Sequence, residues 1–556
     1  MKSALFAGRR DLLMMTSPGK ALFLAGALWF VLLTVCEAQK VPAPGTDPGP
    51  YSIAGRVVDL KTGEPVRRAT VAALAEEDSH IVRSVETDAE GHFLLDHVPA
   101  GKYPLTASRR GYRTAFYDEH EEYNSAIVTG PDQDTTHLEF QLMPGAALRG
   151  VVTDDSGDPA ENASVMLFKR DSVPAHGSGT SEIKQVDGAM TDDTGAYEFS
   201  NLAAGEYYVA VDTAPWYAMH PPSRANGANE DTPLDVAYPV TYFDSTADEA
   251  SATPIALEAG TRQQADISLH AVPALRLQVA APRRESGVVP PELRTMVFGT
   301  PVSSESSGSF VSSHPGTVEF SGVAPGHYEL VQGDPPRISE IDASISQAVD
   351  PNAGAPAVRV SGVLQSTGTP LPENVNVLLA PAPGGNRNPM QMNAVKGGFS
   401  FDMVPQGTWT LSAFAEGNAL PVIAVSAGGA MVAGNQITVK DRPVSVVASV
   451  STAVMRVQGF ARDGSKGVAG AMIILVPRQR SAYLALLRRD QSDSDGSFSL
   501  RDVPAGQYTV VAIRDGWGID WTDRETIARY LPQGVSVRVS DQAGGVVRLV
   551  AGVAVQ

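Results

Sequence analysis

A single cysteine, Cys36, stands in a chain of 556 residues. One thiol excludes an internal disulfide and any zinc site built from several thiolates. The local signatures of catalysis are missing as well: there is no G-x-S-x-G elbow, H-E-x-x-H pair, phosphate loop or dinucleotide fingerprint. Aromatic residues reach only 7% and charged residues 19%. The longest apolar run, Ala21 to Val35, falls short of the ~20 residues that a spanning helix needs. Basic charge is scarce relative to acidic, with 43 Lys and Arg against 62 Asp and Glu. That excess of negative charge argues against nucleic acid and anionic membrane surfaces as partners.

The apolar run sits where an export signal would place it. Lys2, Arg9, Arg10 and Lys20 precede it, and Cys36-Glu37-Ala38 follows as a cleavage candidate. Residues 1–38 are therefore expected to be a signal peptide, with an uncleaved anchor or a lipidated Cys36 as the alternatives. Its removal leaves 39 basic against 60 acidic side chains and no cysteine. A secreted, periplasmic or cell-surface location follows, with no membrane span in the mature chain. Residues 39–50, rich in proline and glycine, read as a stiff linker.

What the chain has in quantity is turn chemistry, 52 Gly and 40 Pro, together with 43% hydrophobic residues. This favours many short strands over long helices. An internal repeat gives the strands an order. Glycines at 91, 195, 316, 397 and 496 are each followed ten residues later by another, Gly101, Gly205, Gly326, Gly407 and Gly506. Between them alternating apolar pairs mark a strand with one buried face: Phe93 and Leu95, Tyr197 and Phe199, Val318 and Phe320, Phe399 and Phe401, Phe498 and Leu500. Two residues past the second glycine stands an aromatic, Tyr103, Tyr207, Tyr328, Trp409 or Tyr508, and alternation then resumes. The element reads as strand, corner, strand.

Opening strands precede the corners, clearest in Gly55-Arg56-Val57, Gly150-Val151-Val152, Gly362-Val363 and Gly459-Phe460; the third unit has no such glycine. The expectation is all-β: a tandem array of five Ig-like or prealbumin-like sandwiches at 51–144, 145–271, 272–352, 353–447 and 448–556, the third and fourth divergent. The four corner tyrosines are expected to tie their hydroxyls to a nearby carbonyl, with Trp409 departing from that pattern.

The opening G-x-V strand, the T-D-x-x-G-x-F run of Thr87 to Phe93 (Thr191 to Tyr197 in the second unit) and the V-P-A-G-x-Y corner resemble the carboxypeptidase regulatory-like domain of the transthyretin-like group. The resemblance implies a prealbumin-like sandwich and an accessory rather than catalytic role, with carbohydrate binding known among related folds. It carries none of the zinc ligands of the peptidases beside which such domains occur.

Candidate sites are few. In the second unit Trp216, Tyr217, Tyr238 and Tyr242 adjoin a long insertion, 219–234, and suggest a platform on which a sugar ring stacks; a second insertion covers 171–190. Asp118-Glu119-His120-Glu121-Glu122 is the densest charged cluster, but consecutive loop side chains point apart, so a solvated acidic loop is expected rather than a metal site. Asp493-Ser494-Asp495-Gly496 resembles half a calcium loop and reads better as a plain turn. Lys169 and Asn162 are conceivable partners for an isopeptide crosslink. A capping box, Thr522-Asp523-Arg524-Glu525, predicts a short helix ahead of Ile527, Tyr530 and Leu531. No cofactor or metal is expected. The sequence reading is a non-catalytic rod or spacer at the cell envelope whose partner is polysaccharide or another envelope protein; the alternative is a carbohydrate-binding array acting beside secreted hydrolases.

Overall fold

The computed structural model describes residues 49–170, 183–221, 232–281, 283–284, 287–288, 290–303, 308–310, 316–333, 336–350, 352–382, 387–416, 418–479, 483–541 and 544–556. The expected export signal, most of the linker, the first twelve residues of the insertion at 171–190 and the middle of that at 219–234 lie outside them. Among the described residues no helix is long and apolar enough to cross a membrane.

The array is all-β. In each unit the opening strand lies at the centre of one sheet. In the first, Tyr51–Asp59 pairs antiparallel with His92–Val98 and parallel with Leu138–Leu142. A second sheet is built on Thr70–Leu74, flanked by Ile81–Glu86 and Leu105–Ser108. Inward residues of both sheets, among them Ile53, Val57, Val71, Phe93, Leu95, Tyr103, Leu105 and Phe140, form one core. The other four units repeat the plan, each around its own buried cluster.

The opening glycines have a steric cause. Gly55 pairs with Phe93, Gly150 with Tyr197, Gly362 with Phe399 and Gly459 with Phe498. A methyl on Gly55 would sit 2.1 Å from the Leu138 carbonyl oxygen, and one on Gly459 would sit 2.6 Å from the Phe498 ring. The bare backbone thus leaves room for the closing strand and the facing ring. In the third unit the facing residue is Val318, smaller than an aromatic ring, and its partner is Val279. The missing glycine is therefore a paired exchange, not a decayed strand.

The hairpin glycines are required for conformation. Gly91, Gly195, Gly316, Gly397 and Gly496 all have φ between 73° and 88°, where only glycine is unstrained. Each offers its carbonyl to the opening strand, accepting from Val57, Val152, Ala281, Leu364 and Ala461 at 2.7–2.8 Å. A register shift recurs at one place in every opening strand, at Tyr51/Ile53, Ala146/Leu148, Leu275/Leu277, Val358/Val360 and Met455/Val457. This bulge leaves no mark in the residue pattern.

Two expected boundaries move. Ala355–Pro356 pairs with Arg337–Ala343 and so extends the third unit's sheet past 352. Val444–Ser451 runs parallel to Val358–Thr367 along its full length, so the fourth unit continues past 447 to Ser451. Both units keep two main sheets, and the third adds a two-stranded ribbon at Arg283–Arg284 and Gly287–Val288. The expected helix of the fifth unit is Arg524–Ala528, with Asp523 rather than Thr522 as its cap: the Asp523 carboxylate accepts from the backbone N–H groups of Glu525 and Thr526; one further turn of helix lies at Tyr483–Leu486.

Candidate functional site

The five corners share one contact. Each tyrosine hydroxyl donates to the carbonyl four residues back: Tyr103 to Pro99 at 3.2 Å, Tyr207 to Ala203 at 2.8 Å, Tyr328 to Ala324 at 2.7 Å and Tyr508 to Pro504 at 2.9 Å. Trp409, expected to depart from the pattern, keeps it; its indole N–H donates to Pro405 at 3.0 Å. The ring fills the core while its polar tip satisfies a carbonyl left over by the corner. Gly101, Gly205, Gly326, Gly407 and Gly506 begin the strands that carry these rings.

The expected aromatic platform is divided. Trp216 is 87% exposed, with Tyr217 edge-on to it at 5.7 Å. Tyr238 and Tyr242 are buried, 7% and 3% exposed. Tyr238 belongs to the core of the second unit. Tyr242 is covered by the third, where Phe298 inserts among Phe168, Tyr208 and Tyr242 at 5.0–5.2 Å between ring centres. Glu249 accepts from both the Tyr242 hydroxyl and the Phe298 N–H. Four rings therefore do not form one surface. Lys169 and Asn162 also stand apart: Lys169 lies over the Tyr207 ring near one end of strand Ser164–Arg170, and Asn162 precedes its other end. Seven residues of extended chain put about 20 Å between them, and an isopeptide bond does not fit.

The two sequences weighed for cation binding meet each other. Residues 118–128 of the first unit lie against 489–494 of the fifth. The Gln491 side-chain amide donates to the Asp118 carbonyl and to Ser125 Oγ, and its oxygen is 3.1 Å from His120 Nδ1. Ser125 Oγ lies 2.9 Å from the Ser492 carbonyl. Ser494 N donates to the Ala126 carbonyl, Val128 N to Ser494 Oγ, and Ala126 N to Asp493 Oδ1. Lys102 Nζ sits 2.5 Å from Asp493 Oδ2. The acidic stretch thus docks one edge on the fifth unit, while Asp118, Glu119, Glu121 and Glu122 stay exposed to solvent. Among the described residues no group of three or more His, Cys, Asp or Glu is placed to hold a metal ion.

Rings flank this polar seam. His120 stacks on Trp517 at 5.0 Å with planes 9° apart, and Tyr123 lies 5.8 Å from the same indole. The Arg489 guanidinium is 3.8 Å from the Trp521 ring centre and 5.0 Å from that of Tyr123, while Nη2 pairs with Glu121 at 2.7 Å and Glu122 at 3.3 Å. A planar guanidinium suits this mixture of stacking and ion pairing. At the rim, Arg501 pairs with Glu76 at 3.2 Å.

Equivalent positions show what the fifth unit has changed. Asp88 and Asp192 bond within their own turns, accepting from the N–H groups of Glu90 and His92 and of Thr194 and Ala196. Asp493 occupies that position in the fifth repeat and still accepts from Ser497 Oγ, but it also accepts from the first unit, while Asp495 takes the backbone bond of the turn by accepting from Ser497 N at 2.8 Å. Burial holds the Asp493 carboxyl above its ordinary range against the pull of Lys102. Burial also pushes the neighbouring Asp490 up to about 7, although Ser499 N donates to it. Sequence reasoning treated 118–122 and 493–496 separately. A clue was available: the fifth repeat carries a second aspartate, Asp495, beside the hairpin glycine.

Comparison with known proteins bears on the first two units. Residues 52–143 and 147–270 match the family model of the carboxypeptidase regulatory-like domain. No curated protein sequence matches the chain. Among solved structures, the chain is similar to the Bacillus anthracis TIE protein, with 10% identity over 93% of this chain and 76% of that one, at a TM-score of 0.16. It is also similar to the shaft pilin SpaA from Lactobacillus rhamnosus GG, with 8% identity over 40% of this chain and 97% of that one, TM-score 0.20. The minor pilin GBS52 of Streptococcus agalactiae gives 12% identity over 40% and 97%, TM-score 0.19.

Proposed function

Starting from the premise that the first two units are carboxypeptidase regulatory-like domains, we propose that the protein is an exported, non-catalytic structural or adhesive body at the cell envelope, its partner polysaccharide or another envelope protein. The observation that carries the reading is the seam between units one and five. An array whose first and last sandwiches are joined is a closed platform, not an extended spacer. While the seam is closed it keeps the five sandwiches near one another, which raises the effective concentration of any binding surfaces they carry. The sequence supports the non-catalytic part, since the usual signatures of nucleophile, metal and phosphate chemistry are absent.

The test is to present the purified chain to whole cells and to isolated envelope polysaccharide, and in parallel to a panel of hydrolase substrates. Saturable binding without turnover is expected; turnover abolished by a single His or acid substitution overturns the reading. A second reading, a carbohydrate-binding array beside secreted hydrolases, is favoured by the exposed Trp216 ring with Tyr217 against it. It expects glycan binding that falls at least tenfold in Trp216→Ala, the loss of one stacking contact. A flat glycan array removes it.

A further inference from the structure

We infer that the seam between the first and fifth units is exchangeable, so that the first unit of one chain seats on the fifth unit of a second copy and the two chains close into a dimer with two such seams. This deepens the proposed architecture by naming a partner, a second copy, and rests on it only in taking the chain as a module array.

Three features carry the inference. The seam joins segments about 370 residues apart in sequence. Its two halves are connected covalently only through the rest of the array, so nothing local fixes which chain supplies which half. The seam is also polar: Lys102, Gln491, Asp493, Ser125, Ser494 and Glu121 dominate it, and such groups are compatible with water when the seam is open.

The attachment of the first unit to the second is slight as well. The chain passes through Pro144-Gly145, where Gly145 N donates to the Gly111 carbonyl and Gly260 N to that of Pro144. The ion pair Lys61–Glu258 beside it is solvent-exposed on both sides. A unit held by a short connection, the Gly260–Pro144 hydrogen bond and an exposed ion pair turns away as a body once its seam opens, which is the geometry of exchange between copies.

The redirected Asp493 adds specificity. In the first two units its counterpart serves only its own turn, whereas here it reads Lys102 and the Ala126 N–H together. Within one chain the tethered unit has the higher effective concentration, so the closed monomer dominates in dilute solution. Exchange becomes the favoured outcome when pairing within the chain is blocked and pairing between chains is allowed.

Charge reversal creates that situation. K102D places two acids at the seam of its own chain, and D493K places two bases. Each full-length variant alone is expected to remain monomeric, with a larger radius of gyration than the wild type. Mixed in equal amounts, every seam between unlike chains joins opposite charges, and a one-to-one dimer is expected by size-exclusion chromatography with light scattering, in at least tenfold excess over either variant alone.

Because Asp493 lies inside a folded turn, the same exchange is repeated with E76R and R501E at the exposed rim pair, where the fold is not at stake. Dimer on mixing in either pair supports the inference. A mixture that stays monomeric in both pairs, with circular dichroism showing folded chains, overturns it. That failure leaves the non-catalytic reading standing, since binding to envelope material and absence of turnover are read separately.

Discussion

The seam between units two and three and the seam between units one and five solve one problem in opposite ways. The first is a plug: Phe298 is held in a left-handed backbone conformation, φ 47°, with its ring among Phe168, Tyr208 and Tyr242 and Val297 fully buried beside it. Arg276, also buried, ties the third unit to Asp235 of the second. The second is a polar seam with ion pairs and stacked rings at its margin. Apolar plugs separate only at the cost of hydrating their rings, so units two and three behave as one body. A polar seam exchanges protein hydrogen bonds for water and is the place where the array opens.

Removing the plug tests this contrast most severely. Phe298→Ala deletes a ring packed against three others and leaves a cavity, for which about 3–5 kcal/mol is typical. Calorimetry of the full chain is expected to show the transition of units two and three shifted well down and split, with that of the fifth unit unmoved. A variant that melts as the wild type does would show that the plug is no stronger than the polar seam.

The polar seam is expected to answer to pH where the plug does not. Asp490 has its folded pKa raised by burial to about 7, against an ordinary value near 4. The protonated carboxyl is therefore favoured by folding. Its stabilisation is complete below about pH 4 and is lost as pH rises through about 7. Asp493, raised in the same direction, adds to the trend, and Lys102 opposes it. Asp490→Asn keeps an acceptor for Ser499 N and removes the ionisation. It is expected to stabilise the fifth unit at pH 8 by up to about 4 kcal/mol and to leave it nearly unchanged at pH 4, read by denaturant midpoints. An equal gain at both pH values would show that ionisation is not the cause.

Much of the fold was legible because the repeat writes its constraints into residue types. A glycine is needed where φ is positive, so Gly91 and its four counterparts keep their spacing. Paired apolar residues mark the buried face of each strand. The opening bulge leaves no such mark, since any residue can occupy it. The fourth unit's closing strand runs on through Val444 to Ser451, past the expected boundary at 447, because its pairing partner Val360 to Thr367 lies distant in sequence. The seam was hidden for a different reason. Polar contacts between distant segments have no period, and Asp118 to Glu122 reads like any solvated loop. Tyr242 misled in the opposite sense: an aromatic near an insertion has the composition of a ligand platform whether sugar or Phe298 covers it.

The smallest expected effect lies inside a unit and provides the yardstick for both seams. Tyr508 is 1% exposed, and its hydroxyl makes the corner bond to the Pro504 carbonyl. Tyr508→Phe keeps the ring in the core but leaves that buried carbonyl unpaired, a loss of about 1 kcal/mol. The denaturant midpoint of the fifth unit is expected to fall accordingly, while dimer formation by the charge-reversed pair stays as it was, because neither atom of the corner touches the first unit. If the midpoint holds, the hydroxyl contributes nothing and the corner acts through ring packing alone, as a plug in miniature. If dimer formation changes instead, the corner is coupled to the seam, and the division between a rigid unit and an exchangeable joint fails at its best-defined point.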